Sequence, residues 1–103
     1  QAAVELNRFY CYFGAWFMNK RDVEQGLIAP LTDEEIAAHP FYTPEAMERD
    51  LVIGTPDKVI ERLKVYEALG YDEYSFWIDS SMPFERKKAS LERFINDVMP
   101  AFA

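Results

Sequence analysis

From Ala2 to about Lys20 the apolar positions Val4, Leu6, Phe9, Phe13, Trp16 and Phe17 fall mostly three and four apart, with no proline and one glycine, Gly14. That period predicts a helix. Tyr10, Cys11, Tyr12 and Ala15 fill most of the remaining circumference, so this helix needs cover on more than one side, as a core helix or a face between subunits. Structural packing is the plainer reading of its rings, with a substrate-pocket wall as the sharper one. Lys and Arg are scarce between them, which argues against a membrane-surface helix.

Asp22 to Leu31, broken by Gly26 and Pro30, keeps no period and reads as a loop. Thr32, Asp33, Glu34 and Glu35 form a capping box that starts a short helix, ended by His39-Pro40. Thr43-Pro44 repeats the device and launches Glu45 to about Arg49. The segment 21–50 is therefore a long acidic excursion with short helices, and such excursions in compact domains often serve as lids or binding loops.

Beyond it the pattern sharpens. Leu51-Val52-Ile53-Gly54 is a short apolar approach, and Thr55-Pro56-Asp57 opens a helix whose Val59, Ile60, Leu63, Tyr66 and Leu69 share one stripe. Gly70 stands where a left-handed residue closes a helix. Tyr74 to Ile78 is aromatic and branched, too short for a stable helix, and reads with Asp79 as a buried strand over about 74–79. Ser80, Ser81 and Pro83 mark a loop, and a last helix is expected from about Phe84 to Met99, with Leu91, Phe94, Ile95 and Val98 inward, stopped by Pro100.

This rhythm is that of an α/β protein with parallel strands. Yet one strand has nowhere to send its backbone hydrogen bonds. The expectation is a single partial domain over 1–103, completed by a missing N-terminal segment or by self-association. The start at Gln1, without methionine and already in helical pattern, fits that expectation.

The 103 residues are half apolar and 28% charged, with eight Phe, six Tyr and two Trp, so an aromatic-rich core or interface is called for. A net charge of −7 would repel nucleic acid. One cysteine excludes an internal disulfide framework and a cysteine zinc site, and points to a reducing, cytoplasmic setting. The longest apolar run, Phe9 to Met18, is about half of the roughly 20 residues that span a bilayer, and no secretory signal opens the chain. His39 is the single histidine and reads as a surface helix end, so no histidine metal site or triad is expected. Cys11, amid rings, reads as an inert thiol. Asp33, Glu34 and Glu35 point in different directions on a helix and suit its dipole rather than a coupled acid pair. Thr55 marks ordinary helix initiation, since Asp57 would repel an anion there.

The run Val52-Ile53-Gly54-Thr55-Pro56-Asp57-Lys58-Val59-Ile60-Glu61-Arg62-Leu63, followed by Glu67-Ala68-Leu69-Gly70-Tyr71-Asp72-Glu73, resembles the C-terminal part of the luciferase-like flavin monooxygenases. The ending Ser90-Leu91-Glu92-Arg93-Phe94-Ile95-Asn96-Asp97-Val98-Met99-Pro100-Ala101-Phe102 is similar to that family's terminal helix, and residues 1–20 look, more loosely, like the helix after its seventh strand. The resemblance spans this chain but only about the last third of a family member, whose barrel takes on the order of 250 residues or more. It implies a (β/α)8 barrel that binds reduced flavin mononucleotide (FMN), or a deazaflavin in some branches, and acts on a small-molecule substrate. The isolated section would not hold the cofactor tightly. No catalytic residue of the family can be matched here. At the end of a last barrel strand, Trp77 could wall the flavin or the substrate pocket, Asp79 could hydrogen-bond a substrate or flavin edge, and Ser80 and Ser81 could donate to a phosphate or polar tail. Alternatively Trp77 packs within the barrel and a serine caps the last helix. The rival functional readings are a free-standing acidic helical module that homo-oligomerises through its aromatic helix, and a purely structural helical domain.

Overall fold

The computed structural model describes residues 1–18, 21–78 and 82–103. The chain forms two compact units, Gln1–Asp50 and Leu51–Ala103.

In the first unit α1 (Ala2–Phe17) packs on α3 (Pro44–Asp50). The seam is not the ring stripe that the periodicity favours. Asn7 and Cys11 are the buried residues of α1, and they meet a face that contributes buried Ala46 and Met47. Gly14, one turn further along, leaves room for Tyr42: a Cβ there would come within 3.2 Å of the ring. Small side chains on this face let the two backbones approach. Phe13, Trp16 and Phe17 occupy the other side, 38%, 65% and 69% exposed, and lie against one another, with Phe13 and Phe17 ring centroids 4.6 Å apart.

Residues 22–31 form a hairpin where the sequence reads as loop. β1 (Val23–Glu24) and β2 (Leu27–Ile28) pair antiparallel, with Val23 opposite Ile28 and Glu24 opposite Leu27. Gln25 and Gly26 take φ of 51° and 80°, the positive pair of a type I′ turn, whose twist matches that of the strands. The capping box forms as the sequence predicts: the Glu35 amide donates to Thr32 Oγ1 at 3.2 Å and the Thr32 amide to Glu35 Oε2 at 2.7 Å, opening α2 (Asp33–Ala37).

In the second unit Thr55, extended, precedes α4 (Pro56–Ala68), with Pro56 at its first turn and Leu63 buried. The Thr55 side chain makes no capping hydrogen bond. Gly70, at φ 90°, ends the helix as expected: its amide donates to Glu67 O at 2.9 Å and the Tyr71 amide to Tyr66 O at 3.3 Å, a Schellman closure. The last helix changes pitch instead of running straight to Met99. It is α-helical as α5 (Phe84–Arg93), widens into a π turn over Phe94–Val98 and tightens into a 3₁₀ turn over Met99–Phe102. Pro100 has no N–H to return to Asn96 and its ring crowds that carbonyl, so the α ladder cannot pass through it. Val98, 2% exposed, is buried in the π turn, which packs on α4.

The strand expected at 74–79 does not form over its described part: Tyr71–Ile78 has no regular structure, and the strands among the described residues are β1 and β2. A parallel strand needs a neighbour reached through a crossover, and the described residues provide none beside this stretch. Its alternate rings are nonetheless anchored. Tyr74 lies 5.5 Å from Tyr66 of α4 and Phe76 lies 4.6 Å from Phe94 of the π turn, centroid to centroid.

Gly26→Ala should isolate the backbone cost of the hairpin turn, because nothing lies within 4 Å of a Cβ placed there. The expected loss is about 1 kcal/mol, read as roughly fivefold faster exchange of the hairpin amides.

Candidate functional site

Of the four residues proposed from the sequence as pocket candidates, Trp77 is described; Asp79, Ser80 and Ser81 lie outside the described residues. Trp77 is 71% exposed, although it sits between Phe76, docked on Phe94, and half-buried Ile78. The rings of Tyr74 and Phe76 meet their own unit, on Tyr66 and Phe94. Burial and the neighbouring Tyr66 phenol push the Tyr74 hydroxyl above its ordinary pKa, so it remains a neutral donor.

A second constellation, in the first unit, centres on Tyr42. Its carbonyl accepts from the Asn7 side-chain amide and, more weakly, from the Cys11 thiol at 3.9 Å. The ring lies flat on His39, with centroids 4.6 Å apart and planes 12° from parallel, and tilts against Tyr10 at 5.6 Å. His39 Nδ1 accepts from the Tyr42 amide at 3.0 Å and the Phe41 amide at 3.3 Å. The ring proton therefore sits on Nε2. His39 stands just past the end of α2, as expected, but the turn it closes is carried in the sequence only by His39-Pro40 followed by two rings, Phe41 and Tyr42. Burial pushes the Cys11 thiol up, which keeps it protonated and a poor nucleophile.

Arg21, not singled out from the sequence, clamps the hairpin to α2. Its Nε donates to Ala29 O at 2.9 Å, Nη2 to Pro30 O at 2.8 Å and Nη1 to Glu35 Oε1 at 2.6 Å. The hydrogen bond from Arg21, helped by the Thr32 amide, holds the Glu35 carboxyl below the usual carboxylate range. The excursion is thus pinned by its own polar groups. Among the described residues no group of His, Cys, Asp and Glu is placed to hold a metal ion, and no helix is long and apolar enough to cross a membrane.

A protein of Acinetobacter baylyi (strain ATCC 33305 / BD413 / ADP1), the flavin-dependent trigonelline monooxygenase, oxygenase component, is 74% identical over 102 residues. The match takes in 99% of this chain and 28% of the relative, so the chain spans under a third of the length of the protein it matches. No family model matches the chain, and no solved structure does.

His39→Asn places an amide oxygen near the position of Nδ1 and should keep the turn, whereas His39→Gln should lose it at a cost of about 1 kcal/mol. The urea midpoints of the two variants check this. The Glu35 contribution, from a carboxyl whose folded pKa is depressed, is present above the ordinary carboxylate range and is lost as pH falls through the lowered folded value. Glu35→Gln should therefore flatten the acid limb of the stability profile relative to wild type, measured as urea midpoint against pH.

Proposed function

We propose that this chain is the C-terminal section of a luciferase-like flavin-dependent monooxygenase, shaping the substrate pocket at the mouth of a (β/α)8 barrel. One observation carries the reading: the 74% identity to a flavin-dependent oxygenase component over 99% of this chain. Support comes also from the segment after Gly70, which joins no sheet among the described residues while Tyr74 and Phe76 already sit on Tyr66 and Phe94. A neighbouring barrel strand would satisfy those amides and carbonyls. The exposed ridge of Phe13, Trp16 and Phe17 on α1 would be covered by the remainder of the barrel.

In this reading the flavin is reduced FMN, delivered by a separate reducing partner as the relative's description as an oxygenase component suggests. The bound flavin supplies the reducing equivalents that split dioxygen between product and water. This section contributes walls rather than a phosphate cradle, since its sequence has no glycine-rich phosphate loop and Trp77 is the described pocket candidate. Trp77 limits solvent at the strand end, and within the first unit the Arg21 clamp and the Tyr42 turn give the excursion a fixed shape. The substrate is trigonelline, an N-methylpyridinium carboxylate, or a close analogue.

The complete protein, supplied with reduced FMN and dioxygen, is expected to consume trigonelline, and the isolated 103-residue section to bind FMN no tighter than micromolar. Substrate consumption followed by chromatography, and fluorescence titration of the section with FMN, check the two halves. Submicromolar FMN binding by the section alone would contradict the division of labour.

A further inference from the structure

We infer that His39 is a proton-sensitive latch on the turn between α2 and α3: its bare Nδ1 holds the turn closed, and a proton taken up there opens it. This goes beyond the monooxygenase reading and does not depend on it. His39 Nδ1 accepts from the Tyr42 amide at 3.0 Å and from the Phe41 amide at 3.3 Å, so one lone pair serves two backbone donors. The ring lies flat on Tyr42, with centroids 4.6 Å apart, and the Tyr42 carbonyl takes the side-chain amide of buried Asn7, so the turn is tied to the seam of α1. Nε2 already carries the ring proton, which leaves Nδ1 as the place for a second. Once protonated, Nδ1 is a donor facing two donors, and the amide of half-buried Tyr42 loses its acceptor. An asparagine side chain closes such turns too, but does not respond to a proton.

Other groups around the ring pull the opposite way. The face of Tyr42 attracts a cation. Either side of the turn, α2 carries Asp33, Glu34 and Glu35, and α3 carries Glu45, Glu48 and Asp50 with Arg49, while α1 faces it with Tyr10 and Cys11. Asp33 is paired with Arg8, Glu35 with Arg21 and Asp50 with Arg49, and His39 carries no ion pair among the described residues. These carboxylates belong to exposed residues and are screened by solvent, whereas the two amides touch Nδ1 directly. The latch therefore contributes where imidazole is neutral and is lost as it takes up a proton.

Hydrogen exchange over residues 39–42, read by mass spectrometry on the full-length protein at about pH 7.5 and about pH 5.5, gives the test, since that interval spans the ordinary titration of imidazole. His39→Asn, whose acceptor does not titrate, cancels the intrinsic pH dependence of exchange. The ratio of wild-type exchange to that of His39→Asn should rise roughly tenfold at the lower pH. An unchanged or falling ratio overturns the proposal, as does a turn in His39→Gln that is as protected as wild type at the higher pH. If His39→Asn does not fold, the wild-type amides of α4 serve as the reference: the turn should accelerate roughly tenfold against them, and equal acceleration of the two overturns the latch.

Discussion

Sixteen aromatic rings in 103 residues exceed what two small units can cover, and this constraint shapes everything else in the molecule. A unit of about fifty residues has too little interior for several large rings, because the fraction of surface a chain buries falls steeply at small size. The buried apolar residues are accordingly modest: Cys11, Ala46 and Met47 in one unit, Leu63 and Val98 in the other. The larger side chains, Trp16, Phe17 and Trp77 among them, remain at the surface. Rings left outside in this way pair with one another, as Phe13 does with Phe17, and present surface that further polypeptide or a ligand can cover.

Order in the first unit comes instead from polar groups. The Tyr42 carbonyl takes the buried Asn7 amide, and the Tyr42 amide is held by His39. Losing either partner would leave a partly buried backbone group unsatisfied, which costs more than the bond itself contributes. Arg21 does the same for the hairpin, engaging two carbonyls and a carboxylate with one planar fork. A segment so tied resists local unfolding.

Among the described residues, 74–78 join no ladder, and the relative matched along nearly the whole section is flavin-dependent.

Features set by neighbours in sequence were legible from residue order alone. The Thr32–Glu35 capping box, the Thr55-Pro56 start and the Gly70 stop depend on hydrogen bonds and φ preferences within a few residues, and each helix begins or ends where those residues place it. The hairpin at 23–28 was not legible, because glutamine is an unusual occupant of a left-handed turn position and two-residue strands leave no alternation to detect. Nor was the face that α1 would bury. Hydrophobic periodicity favours Phe13, Trp16 and Phe17, yet Asn7, Cys11 and Gly14 form the seam, since close approach to α3 and Tyr42 selects for small size and one satisfied amide rather than for apolarity. Pairing for residues 74–78 depends on polypeptide far away in sequence, and so the string of residues set their aromatic and branched character while only tertiary contacts, Tyr66 with Tyr74 and Phe94 with Phe76, decided which of their rings are held.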